Sequence, residues 1–311
     1  MSRKALIITI AVFFVLGLLC ARGLQRIEEL SSGSYSVSGE SLAAGELRYR
    51  RIVCLAPSIT ETVFALGGGD RVVGVGDFTF WPAKAKELPK VGGFIDPNFE
   101  RLLSLRPDLV IVQGRQDKVA DFCRRQGIDF LRIERNDLPG VFEGIRDIGR
   151  KLGLEPRAWE LEAELRRGLE RISLEVSGRP RARVFLAIGR TAGTLSQLMT
   201  AGGASYLSQL VDVAGGDNIF ADLKRDYPMI SKESLVVRDP EVIIEAHPGE
   251  QLSEEARKAF LTDWRALPGV NAVREGRIVV LTQDHLLIAG PRLVESAQCL
   301  AEAIHPEVFA K

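Results

Sequence analysis

The chain has 311 residues, enough for two domains of ordinary size, each with its own core. Apolar residues make up 46% and charged residues 26%, the mix of a globular chain in water. Lysine plus arginine balances aspartate plus glutamate at 41 each, so there is no overall basic field, and nucleic acid is not expected as a partner.

At the N-terminus, Arg3 and Lys4 precede "ALIITIAVFFVLGLLC", sixteen uncharged and mostly apolar residues from Ala5 to Cys20. A basic segment followed by an apolar run somewhat short for a membrane span predicts an export signal or anchor over 1–23. Three outcomes follow: lipidation at Cys20, although Leu19 is not the usual small residue before it; cleavage after Gly23; or retention as an uncleaved anchor. Residues 24–49, rich in serine and glycine with little apolar period, are expected to be a linker. The expected location is the periplasm or cell envelope, with the N-terminus as tether. Cys54, Cys123 and Cys299 are expected to be buried free thiols, since no Cys/His spacing suggests zinc.

After the linker, strand-like and helical runs alternate. "RIVCLA" (51–56), "RVVGVG" (71–76), "DLVIVQ" (108–113) and "IDFLRI" (128–133) read as strands, with helices over 58–67, 98–105 and 116–126. Such alternation predicts parallel α/β units. In "RAWELEAELRRGLERISLEV" (157–176), Trp159, Leu161, Leu165, Leu169, Ile172 and Val176 recur at helical spacing, with Gly168 the one interruption. The stretch predicts one helix of about 20 residues, roughly 30 Å long. The alternation then restarts: "RVFLAIG" (183–189), helices over 203–214 and 231–237, "EVIIEA" (241–246), "RIVVLT" (277–282) and a terminal helix over 291–304.

The second half echoes the first. "NFERLLSLRPDLVIV" (98–112) aligns without a gap on "SKESLVVRDPEVIIE" (231–245) when Pro107 is set on Pro240, and Glu100 then falls on Glu233. Two copies of an α/β unit joined by one helix predict two lobes facing each other across a cleft. The expected boundaries are a lobe over 50–150, a connecting helix over 151–178 and a second lobe over 179–311.

At the first strand–helix turn, Ser58-Ile59-Thr60-Glu61 has the spacing of a capping box, in which Ser58 takes the Glu61 amide and Glu61 reaches back. A turn whose donors are so used suits a polar neutral group better than a triphosphate. Neither GxxxxGK[ST] nor a complete GxGxxG is present, so a nucleotide site is not expected. Phe78, Phe80, Trp81 and Phe94 cluster in the irregular "GDFTFWPAKAKELPKVGGF", although only 7% of the chain is aromatic. They read as an apolar wall for a large organic ligand, with Tyr227 in the related place of the second half. No GxSxG or HExxH occurs, and His247, His285 and His305 all lie in the second half, so histidines cannot build a metal site spanning both lobes. His285, beside Asp284 in the "QDHLLIAGPR" loop, is open between ligand contact and a structural role.

Taken together, "RIVCLAPSITETVFALG", "LPKVGGF", "NFERLLSLRPDLVIV", the connecting helix, "AGGDNIF", "ISKESLVVRDPEVII" and "AGPRLVESAQCLAEAIHPE" resemble the periplasmic binding protein family for cobalamin and iron chelates. These are substrate-binding components of ABC importers. The resemblance covers about residues 50–306 and is closest to the cobalamin branch. It implies the class III α/β fold, two Rossmann-like lobes joined by one long rigid helix with the ligand in the cleft between them. It implies no enzyme and no resident cofactor, a corrinoid or metal-chelate ligand, and an inner-membrane ABC permease dimer as partner. One surface glutamate per lobe docks on permease arginines in this family, and Glu100 and Glu233 match those positions. Pro57, Ser58, Phe78 or Trp81, Phe94, Tyr227 and Asp284 correspond by position to residues that hold the corrinoid, with His285 a further candidate. Arg190, in the 189–203 loop, is a candidate to pair with a chelate carboxylate, as arginines do in siderophore binders of this family. Departures are Phe94 in place of a tryptophan, Leu287-Ile288 in place of a charged pair, and a longer, less aromatic 189–203 loop. The expected function is capture of cobalamin or a related corrinoid. A ferric siderophore or haem binder is the alternative, and a two-lobed α/β enzyme is a more distant one.

Overall fold

The computed structural model describes residues 48–94 and 96–310. The signal or anchor expected over 1–23, with Cys20, and all but the last two residues of the linker expected over 24–49 lie outside the described residues. Tyr49, placed in that linker from the sequence, is instead 3% exposed, and its hydroxyl donates to the Asp129 carboxylate. Its ring is part of the first lobe's core.

The first lobe holds β1 (Ile52–Cys54), α1 (Pro57–Ala65), β2 (Val72–Val75), α2 (Ala83–Lys86), α3 (Phe99–Ser104), β3 (Leu109–Gln113), α4 (Asp117–Gln126), β4 (Asp129–Ile133) and α5 (Leu138–Leu152). Its sheet is parallel throughout, in the order β2-β1-β3-β4. Gly153, in the left-handed region at φ 69°, ends α5, and the connecting helix α6 (Glu155–Glu175) starts two residues later.

The second lobe follows with β5 (Ala182–Gly189), β6 (Leu198–Thr200), α7 (Tyr206–Val213), β7 (Gly216–Asn218), β8 (Met229–Ile230), α8 (Lys232–Arg238), β9 (Val242–Ala246), α9 (Glu254–Asp263), α10 (Asn271–Arg274), β10 (Ile278–Leu281), α11 (Leu293–Ile304) and α12 (Pro306–Phe309). Parallel pairing in the order β7-β5-β9-β10 reproduces the strand order of the first lobe. An antiparallel ribbon, β6 and β8, is added beyond β5, so this sheet is mixed.

The aligned segments of the two lobes repeat the same local bonds. Asn98 and Ser231 cap α3 and α8 by accepting the amides of Arg101 and Ser234. Arg106 and Asp239, one residue before the aligned prolines, both adopt positive φ, 45° and 40°. A proline disfavours the right-handed helical region for the residue before it, and both chains turn away there in the same manner. The carboxylates after those prolines, Asp108 and Glu241, accept the amides of Arg51 and Arg183 at the start of the central strands.

Alternation along the strands divides the core. Ile52, Cys54, Leu109 and Ile111 share one cluster with Val184, Leu186, Val242 and Ile244 of the second lobe, while Val53, Val110, Phe185 and Ile243 point to separate clusters on the outer faces. The shared cluster runs beneath α6 through Leu161, Leu165, Leu169 and Ile172. Trp159, read as part of that stripe, is 58% exposed under the Arg146 guanidinium. It lies off the face that Leu161 and Leu165 define. Cys54 and Cys123 are buried, Cys299 is half-buried, and burial pushes the Cys54 thiol up to about 12.

Gly168 has a packing reason. A Cβ there would lie 2.7 and 2.8 Å from the Val294 methyl carbons of α11. Gly168→Leu is expected to push α11 off the connecting helix at a cost of about 1–3 kcal/mol. Thermal unfolding checks this: the melting temperature should fall by several degrees.

Candidate functional site

The first sheet presents its strand ends to a cavity at the lobe seam, as open parallel sheets do. The chain leaves β1 into Pro57 and Ser58, β3 into Gln113 and Gly114, and β4 into Glu134 and Asn136, and all of these line a cavity of about 330 Å³. The second lobe contributes Tyr206, Asp226 and Tyr227 on one side and Leu287, Ile288 and Ala289 on another. The lobes touch at its edge: the Tyr206 amide donates to the Asn136 carbonyl at 2.8 Å, and Asn136 Nδ2 donates to the Tyr227 hydroxyl at 2.6 Å. Burial, partly offset by Asn136, pushes the Tyr227 hydroxyl up to about 12.

The turn at Pro57 is built differently from a capping box. Pro57 takes the first helical position, so Ala56 is the cap residue and offers no side-chain bond. Ser58 then lies inside the helix, and its hydroxyl donates to Gln113 Oε1 at 2.6 Å. Glu61, 3% exposed, accepts from Arg292 Nε and Nη2 of the second lobe at 2.9 and 2.6 Å. A carboxylate this deep gains more from a bidentate guanidinium than from a backbone amide. Burial pushes the Glu61 carboxyl above its usual range, with Arg292 opposing. Arg292 also donates to Asp284 at 2.8 Å and stands 5.1 Å from the Trp81 ring centre. The S-x-x-E pattern therefore marks an inter-lobe ion pair.

Of the residues expected in the site, Pro57, Ser58, Phe94 and Tyr227 line the cavity. Phe78 and Trp81 do not; they stand exposed, 66% and 48%, on the loop that leaves the same edge of the first sheet after β2. Asp284 is engaged by Arg292 outside the lining. His285 also lies outside the lining: its Nδ1 meets the Ser296 hydroxyl at 2.9 Å, and burial, then the Arg292 charge, hold its pKa below the usual value. Arg190 is corrected. Its side chain is 3% exposed and bound to Glu245 at 2.6 Å and Asp263 at 2.8 Å, beneath the Phe260 and Trp264 rings, so it is an internal strut of the second lobe.

Gln113, Glu134, Asn136, Tyr206 and Asp226 were not singled out from the sequence. Three of them follow or end predicted strands, and the rule that ligands sit at the carboxyl ends of parallel strands would have found them. The cavity's charge is one-sided. It carries the carboxylates of Glu134 and Asp226, and among the described residues its lining holds no lysine, arginine or histidine.

A periplasmic binding protein family model matches residues 52–285. The vitamin B12-binding protein of Yersinia pestis (strain Pestoides F) is 26% identical over 254 residues, covering 81% of this chain and 85% of that protein. A periplasmic haem-binding protein from Pseudomonas aeruginosa is 30% identical with a TM-score of 0.71, covering 83% and 93% of the two chains. The periplasmic vitamin B12 binding protein of Vibrio cholerae, 24% identical, shares the fold with a TM-score of 0.69 over 86% of this chain and 100% of its own. The match over residues 52–285, with the two lobes and the cleft they enclose, identifies the chain as a member of the periplasmic binding protein family, solute carriers rather than enzymes.

Proposed function

We propose that this chain is the substrate-binding component of an ABC importer and that its cargo is a corrinoid. The observation that carries the cargo is the charge of the cleft: two carboxylates, neutral hydroxyls and amides, and no cation in the lining among the described residues. Haem brings two carboxylates and ferric siderophores commonly carry net negative charge. Desolvating such groups beside Glu134 and Asp226 without a partner is costly. Corrinoid arms end in neutral carboxamides, which match hydroxyl, amide and carboxylate partners together.

The cavity's size supports the same reading. About 330 Å³ is near the lower end of the roughly 300–1,000 Å³ typical of ligand pockets, so a large macrocycle enters by one edge. The exposed Phe78, Phe80 and Trp81 rings then offer apolar area for the part outside. Haem is the second reading, favoured by the 30% identical haem-binding relative. Delivery to a permease dimer rests on Glu100 and Glu233, exposed in the first turns of the aligned helices α3 and α8. Such charges steer encounter and fix orientation more than they add affinity. Export and tethering by the N-terminal segment complete the proposal.

Titration with cyanocobalamin, dicyanocobinamide, haem and a ferric siderophore, followed by tryptophan fluorescence, tests the cargo. Quenching by the corrinoids is expected, and Trp81→Phe should remove most of it while weakening binding by less than about tenfold. Saturable binding of haem alone would replace the first reading by the second. In cells, the double variant Glu100→Ala, Glu233→Ala should lower corrinoid uptake, while the purified variant keeps wild-type affinity. Undiminished uptake would remove the docking assignment.

A further inference from the structure

Tyr206 opens α7 beside the cleft and is 1% exposed. Its amide is committed to Asn136 across the seam. Its hydroxyl meets no hydrogen-bond partner among the described residues, whereas the neighbouring Tyr227 hydroxyl is held by Asn136. Buried polar groups are nearly always paired, because giving up hydration without a replacement bond is costly. A phenylalanine would fill the same volume without that loss. The hydroxyl at this position therefore calls for a partner from outside the chain, and the ring already forms part of the cavity wall.

We propose that Tyr206 is a specificity-determining residue whose hydroxyl donates to the carbonyl oxygen of a carboxamide arm of the ligand. The inference rests on the corrinoid reading and narrows it to the kind of arm that reaches the cleft floor. Tyr206 lines the cavity yet is 1% exposed, so the arm reaches its hydroxyl on a slight parting of the surrounding side chains. Burial, with Tyr227 and then Glu61 nearby, raises the phenol well above its ordinary value and keeps it a donor. A carboxylate arm would meet the charges of Glu134 and Asp226 in the same lining. A carboxamide avoids that repulsion, and its N–H groups find acceptors in those two side chains.

The test compares the wild-type chain with Tyr206→Phe. Each is titrated with dicyanocobinamide, whose arms are carboxamides, and with dicyanocobyrinic acid, whose arms are carboxylates. Thermal unfolding is recorded without ligand. Tyr206→Phe should raise the melting temperature by about 1–5 °C, because the orphaned hydroxyl is gone. It should weaken dicyanocobinamide binding by about 3–10-fold. Dicyanocobyrinic acid should bind the wild type at least about tenfold more weakly and lose nothing further in the variant. Opposite signs in stability and affinity distinguish this role from a structural one. Equal dicyanocobinamide affinity for the two proteins, or a lower melting temperature for the variant, overturns the proposal and leaves the corrinoid reading standing. A wild-type chain that binds neither corrinoid ends the corrinoid reading, and the arm assignment with it.

Discussion

Glu61 and Arg292 meet across the seam between the lobes, one carboxylate bound by two guanidinium nitrogens, and much of the molecule is arranged around that contact. The pair takes two charges out of water, so its worth depends on geometry and on satisfying what remains. The bidentate fork supplies the geometry, Asp284 takes a further donor and the Trp81 ring covers one side. Leaving either charge alone in such a setting costs about 3–5 kcal/mol. The lobes are thus joined at places far apart in sequence: through this pair, through the Asn136 contacts with Tyr206 and Tyr227, and through the continuous core under α6. A core shared in this way resists a wide hinge, and the cleft is largely shaped before any ligand arrives.

The fold was legible because its signals are local. Strand runs at 51–56, 108–113 and 241–246 carry their own apolar pattern, and the Pro107–Pro240 register revealed the duplication without coordinates. The 138–152 helix went unread, although Asp137 caps it and Pro139 stands in its first turn. The ribbon of β6 and β8 also went unread, since strands of three and two residues leave no period to detect.

The site was less legible, and the reasons are tertiary. Ser58 and Glu61 have the spacing of a local cap, yet their partners, Gln113 and Arg292, are 55 and 231 residues away. Arg190 has the chemistry of an anion clamp, and only packing reveals that Glu245 and Asp263 have already claimed it. Tyr206 sits in an ordinary helix start, where nothing in the sequence distinguishes a filled hydroxyl from an empty one. The cavity's one-sided charge is likewise a property of a strand tip and a loop brought together, Glu134 and Asp226, with no counterpart in the balanced composition of the chain.

The ribbon of β6 and β8 departs from the parallel strand order that the two halves share. Its second strand follows Tyr227 of the cavity wall and Pro228, and runs directly into Ser231, the cap of α8. Cargo preference can therefore drift by remodelling one unpaired appendage, and the inherited symmetric frame need not change with it.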